Sequence, residues 1–235
     1  MDLILHISPG ACSRVPLIAL EEIGAPFATR VVAFMKGGHR STGYLRLNPA
    51  GKVPTLVVDG RAIGQNVAIL SFLAHAFPGA GLLPLTGDPL ADADLLGQLA
   101  WFAADLHPLV TRIRIPSFAC DLPGAPERVR ALASAAMSLQ LAAAEARLAE
   151  MPWLLGSTWS VLDAYLHWVW FRISGAGFAG EFPHISAHYE AMALRPSVQR
   201  ALARESAAED ELRTMGALVT FPPLTGTLSE LETQR

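Results

Sequence analysis

Cys12 and Ser13 stand between the turn Ser8-Pro9-Gly10-Ala11 and a helix expected to run to about Ile23, with Leu17, Leu20 and Ile23 on its buried stripe and Gly24 as its stop. A thiol with its ordinary pKa of about 8.5 is only a few per cent ionised at neutral pH. The dipole at a helix start, with a neighbouring charge or hydrogen-bond donor, favours negative charge by roughly 1 to 2 kcal/mol, about tenfold in thiolate population. Cys12-Ser13-Arg14-Val15 is not Cys-x-x-Cys, so chemistry with one protein thiol is expected, its partner thiol coming from a ligand. The competing reading of Cys12 is a small buried filler. Ser13 is a candidate second donor to the sulfur or a simple N-cap. Cys120 is expected to be inert, and the two cysteines make neither a disulfide framework nor a metal site.

The stretch from Gly51 to Phe77 supplies a second set of polar groups. Thr55 to Val58 reads as a β-branched strand, Asp59-Gly60 as a two-residue hairpin turn and Arg61 to Ile63 as the returning strand. Pro54 occupies the first strand position, where a missing N–H does least harm. A cis Val53-Pro54 bond would leave the N–H and C=O of Val53 facing outward, able to pair with a peptide-like ligand as an added strand does. Gln65 and Asn66 open the following helix, whose N-terminus favours a carboxylate. Val67, Leu70, Leu73, Ala74 and Phe77 form its expected apolar stripe, ended by Pro78. Together these features suit a small, extended, anionic peptide. The plainer reading is an ordinary turn proline and a polar helix cap.

The elements that must carry these residues follow from period and punctuation. Leu3 to Ile7 and Phe27 to Ala33 read as strands on either side of the Cys12 helix, and a short helix is expected before Asn48-Pro49. The order through residue 78 is βαβαββα, followed by a Gly- and Pro-rich linker over 79–88. From 89 to 218 only helical signals appear. A long helix from Pro89 to about Ile115 should be bent by Pro108, and Pro126, Pro183 and Pro196 open others. Ser160-Val161-Leu162-Asp163 forms a capping box in kind. Residues 219–235 read as an irregular tail. The fold class is therefore α+β with two domains, the second all-α.

With 235 residues the chain is long enough for each domain to bury a core. A formal net charge of −3 gives no electrostatic case for nucleic acid or an anionic membrane. The sequence is 51% hydrophobic, yet no apolar run approaches the roughly 18 residues that cross a bilayer. The first twelve residues lack the basic start and apolar length of a secretory signal, so a cytoplasmic protein is expected. The histidines show no metal-ligand spacing; His184 and His188 lie four apart with no third ligand in view. Tyr165, Trp168, Trp170 and Phe171, spaced along one helix, read mainly as core.

A proline before the third strand and a cysteine at the first helix make residues 1–78 resemble the thioredoxin fold, and the helical remainder makes the chain resemble the cytosolic glutathione S-transferases. Ser8-Pro9-Gly10-Ala11-Cys12-Ser13 is similar to the bacterial beta class, Asn48-Pro49-Ala50-Gly51-Lys52-Val53-Pro54-Thr55-Leu56 to the family's cis-proline stretch, and Ser160 to Tyr165 to its second-domain folding motif. The resemblance implies that Val53 pairs its backbone with the cysteinyl part of glutathione, that Gln65 and Asn66 hold the γ-glutamyl end, and that Lys36 meets the glycyl carboxylate. It places His107 near the sulfur, beside Cys12. Departures from the family pattern are Gln65 in place of an acid, Pro108 in place of a lysine, and alanines at positions 100 and 104. The implied activity is addition of the glutathione thiolate to a small hydrophobic electrophile, by a homodimer without a metal. Two rivals are thiol exchange through Cys12 and a glutathione-binding scaffold without turnover.

Overall fold

The computed structural model describes residues 1–220 and Leu224. Alternating burial along β1 (Leu3–Ile7) puts Leu3, Leu5 and Ile7 into the core. α1 (Arg14–Ile23) and β2 (Ala28–Val31) complete a parallel β-α-β unit, and α2 (Thr42–Leu47) leads to β3 (Thr55–Val58), β4 (Arg61–Gly64) and α3 (Asn66–Ala76). The sheet order is β2-β1-β3-β4, with β3 antiparallel to both neighbours. This is the expected thioredoxin-like arrangement. Asp59 at φ 47° and Gly60 at φ 84° both take the left-handed conformation that a tight hairpin turn demands. Gly24, at φ 71°, closes α1 in the same conformation.

The described chain divides into two compact units, 1–92 with 193–220, and 93–192 with Leu224. The last helix, α9 (Pro196–Thr214), packs along α1 and against β2 within the first unit. Reading 89–218 as one helical stretch did not anticipate this return. It also explains why α1 has no exposed face from Arg14 to Glu21, whereas a single stripe ending in a buried Ile23 was expected. α9 and α3 both lie against it, and Ile23 is only half-buried. α3 likewise buries Asn66, Ile69, Leu70, Leu73 and Ala74, with Val67 half-buried, so its core face is rotated from the expected one.

Helix follows helix through the next unit. α4 (Pro89–Trp101) runs into a wider π turn over Phe102–Leu106 and then α5 (His107–Arg114). Pro108 lacks an N–H, and in a regular helix its ring would strike the carbonyl of residue 104, so the widened turn stands where the bend was expected. α6 (Ala125–Glu150), α7 (Val161–Ile173) and α8 (Pro183–Ala193) follow, and α5 packs on both α6 and α7. Ser160 and Asp163 form the capping box at the start of α7. Residues 217–220 form no helix, and the remainder of the expected tail lies outside the described residues apart from Leu224.

The sheet carries one titration of consequence. His6 is half-buried in β1 with Arg30 as its ladder partner on β2, and burial first, then the Arg30 charge, hold its imidazole below the ordinary 6.5. The unfolded chain therefore takes up a proton near pH 6.5 that the folded chain resists. Stability from this group is present above pH 6.5 and falls as the pH drops through that value toward the lower folded pKa. Urea unfolding of His6→Gln should show a shallower loss of stability over this window than the wild type. Equal slopes would exclude His6 as the source.

Candidate functional site

The loop before α1 is braced by a reciprocal pair. Ser13 Oγ accepts from Ser8 N–H at 3.2 Å and donates to Ser8 C=O at 3.1 Å, and Ala11 N–H reaches Ser8 C=O at 3.0 Å. Ser13 is wholly buried and makes no side-chain cap bond to α1. Its hydroxyl bonds to Ser8, so it holds the loop in place of the N-cap role read from the sequence.

Cys12 is 7% exposed and is a thiol, as is Cys120. Its Sγ lies 3.6 Å from the carbonyl oxygen of Val53, within reach of a weak S–H···O bond. The Val53-Pro54 peptide bond is cis, as expected. The structure thus combines the two readings of Cys12: the residue is covered, yet its sulfur sits against the carbonyl expected to receive a peptide. A ligand N–H reaching Val53 C=O would arrive beside that sulfur.

Asn66 joins the same group. At 5% exposure, its Nδ2 donates to Cys12 C=O at 3.1 Å, which ties the start of α3 to the Cys12 loop. Its Oδ1 is buried and has no hydrogen-bond partner among the described residues, leaving an acceptor for an incoming donor. Gln65 is exposed at the N-cap with φ 70° and ψ 129°, a strained backbone for a residue with a side chain. This strain marks the entry to α3, whose first N–H groups have no intrahelical partner.

Sequence reasoning missed the polar group beneath Val53. Tyr44, Asn48 and Thr55 are 8%, 9% and 0% exposed and bond to one another and to Lys52 C=O. The signal was present in Thr55, a hydroxyl at the head of an otherwise apolar strand, and in Asn48 seven positions before it. Lys36 is exposed on the loop after β2, where Phe34 stacks on His39 with ring centroids 3.9 Å apart. Residues 24–87 hold six Lys and Arg against a single acid, Asp59. The field over this part of the chain thus favours an anionic ligand despite the net negative total.

His107 belongs to the second unit. Its Nδ1 is 3.3 Å from Tyr165 Oη, and Trp168 meets its ring edge-on at 4.7 Å. Tyr165, Trp168 and Trp170 are buried, as the spacing predicts, while Phe171 is 37% exposed. Among the described residues no group of His, Cys, Asp and Glu is arranged to hold a metal ion.

Residues 10–76 match the family model described as glutathione S-transferase, N-terminal domain. Glutathione S-transferase GST-4.5 of Xanthomonas campestris is 35% identical over 207 residues, covering 86% of this chain and 98% of that protein. Among solved structures, a sphingomonad glutathione S-transferase complexed with glutathione is 33% identical with a TM-score of 0.74, over 86% of this chain and 98% of its own. The bacterial beta-class glutathione S-transferase of Sphingomonas chungbukensis is 32% identical at the same TM-score, over 86% and 98%. With a thioredoxin-like unit, a cis-proline edge beside a thiol and relatives matched over nearly their full length, the chain belongs to the glutathione S-transferase family, as a transferase of that type.

Proposed function

We propose that the protein adds the thiolate of glutathione to a small hydrophobic electrophile. The observation that carries this reading is the meeting, within one compact unit, of the Val53 carbonyl, the Cys12 sulfur and the Asn66 amide. In this reading residues 1–78, supported by α9, bind glutathione as an added strand along Val53. Gln65 and Asn66 receive its γ-glutamyl end and Lys36 its glycyl carboxylate. Asn66 Oδ1 accepts a ligand N–H, and the N–H groups opening α3 meet the carboxylate. Cys12 and His107 are the side chains proposed to attend the sulfur, Cys12 by donating to the glutathione thiolate, whose proton has passed to solvent, and His107 by a hydrogen bond. Ser13 supports this chemistry by bracing the loop. We also take the protein to be a cytoplasmic homodimer acting in detoxification; no helix among the described residues is long and apolar enough to cross a membrane.

The position of Cys12 favours a second reading, thiol exchange. Its thiolate would attack a glutathionyl disulfide, form a Cys12–glutathione disulfide and release the other thiol, and a second glutathione thiolate would attack that disulfide at the glutathionyl sulfur, restoring the cysteine and leaving as oxidised glutathione. Replacement of Cys12 by Ala separates the two. Conjugation to a haloarene should fall by roughly tenfold or less, and disulfide exchange should vanish. Loss of both would overturn conjugation assisted by, but not dependent on, Cys12. Glutathione should also raise the melting temperature of the wild type in proportion to saturation. A protein that shows no such rise and turns over no haloarene, epoxide, disulfide or aryl ether is not a glutathione enzyme.

A further inference from the structure

We propose that Tyr44, Asn48 and Thr55 are positioning residues that hold the Val53 main chain in the geometry a peptide ligand requires. The inference rests on the reading of Val53 as the pairing edge, and it assigns glutathione affinity to side chains that need not touch glutathione.

The hydrogen bonds form a closed circuit. Tyr44 Oη donates to Lys52 C=O at 2.8 Å, and Asn48 Nδ2 uses its two protons on Lys52 C=O and Thr55 Oγ1, each at 2.9 Å. Thr55 Oγ1 is 2.9 Å from Tyr44 Oη, so with the phenol proton committed to Lys52 the threonine proton goes to the phenol oxygen. Asn48 Oδ1 accepts from Ala50 N–H at 3.1 Å, and no amide atom of Asn48 is left over. Burial pushes the Tyr44 phenol above its ordinary 10.0, which keeps it a donor across the working pH range.

Position in the chain gives the circuit its purpose. Lys52 and Thr55 flank Val53-Pro54, so the dipeptide is tethered on both sides. The Val53 side chain packs in one small cluster with Tyr44 and Val32, which holds it from a third direction. A main chain already fixed in its bound geometry spares the ligand the cost of ordering it, and this shows as affinity. Exchange of Thr55 for Val keeps the shape and removes the shared hydroxyl, leaving Asn48 Nδ2 with a buried proton unmatched.

The test is steady-state kinetics with glutathione and a haloarene on Thr55→Val, Thr55→Ser and Tyr44→Phe, alongside thermal-shift titration with glutathione. Thr55→Val should raise the KM for glutathione roughly tenfold and shift the titration midpoint equally, with kcat and the haloarene KM within about twofold of wild type. Thr55→Ser should restore the wild-type KM. Tyr44→Phe should raise it less, because the Thr55 hydroxyl can turn to Lys52 C=O, 3.4 Å away. A merely structural role would lower the melting temperature and leave the glutathione KM unchanged, and that result in either Thr55→Val or Tyr44→Phe overturns the proposal. If Thr55→Val does not fold, Tyr44→Phe decides the matter by the same readout. A wild type with no saturable response to glutathione would overturn the proposed function as well, whereas a wild type and a Thr55→Val variant that saturate alike would overturn this inference alone.

Discussion

Asp163→Ala is expected to cost about 3–5 kcal/mol of stability, the largest loss from a single truncation in the second unit. The carboxylate is fully buried and is the acceptor for four donors. Oδ2 receives Ser160 N–H at 2.7 Å and Ser160 Oγ at 3.2 Å, while Oδ1 receives Leu154 N–H at 2.9 Å and His188 Nε2 at 2.9 Å. Truncation strands two backbone N–H groups and an imidazole N–H away from water. Asp163→Asn should lose nearly as much, because its NH2 must face a donor wherever the amide is turned. Urea unfolding measures both. A loss below about 1 kcal/mol in either variant would show that the carboxylate is not the organising acceptor.

The second large effect concerns the pair formed by Arg14 and Glu205. Arg14 Nε and Nη2 both donate to Glu205 Oε2, at 2.9 Å and 2.5 Å, and both side chains are 5% exposed. Arg14→Leu or Glu205→Leu alone leaves a buried charge without this partner and should destabilise by about 3–5 kcal/mol. The double replacement should return to within about 1–2 kcal/mol of wild type, since neither apolar side chain then faces an uncompensated charge. Glu205 Oε1 strengthens this expectation, being buried with no hydrogen-bond partner among the described residues, so the pair is imperfectly satisfied as it stands. Additive losses in the double variant would mean that the two residues stabilise the fold separately.

What the sequence disclosed follows from how far apart the interacting residues lie along it. The Asp59-Gly60 hairpin and the Ser160-Asp163 box are written in adjacent residues, so their turn and capping chemistry is readable without a fold. Pro54 and the Cys12 loop were legible singly, each from its place at the edge of an element. The contact of Cys12 with Val53 spans 41 positions and needed the sheet to bring β3 beside β1. The Arg14–Glu205 pair spans 191, and neither a charged residue at a helix start nor one within an amphipathic helix announces that it will be buried. Thr55 was read as a strand-former because β propensity and a hydrogen-bonding task favour the same residue. The cap reading of Ser13 failed because the sequence gives no sign that Ser8 would engage its hydroxyl on both sides.

The return of α9 to α1 bears on how the chain is made. Glu21 receives Arg200 and Arg204, Glu22 receives Arg195, and Arg14 donates to Glu205, all four partners coming from the last tenth or so of the described chain. A nascent polypeptide emerging from the ribosome therefore has α1 and β2 long before it has the helix that packs on them. The unit made earlier thus waits for a helix made after the other unit, and a product released early would carry Cys12 just ahead of a helix with one flank bare.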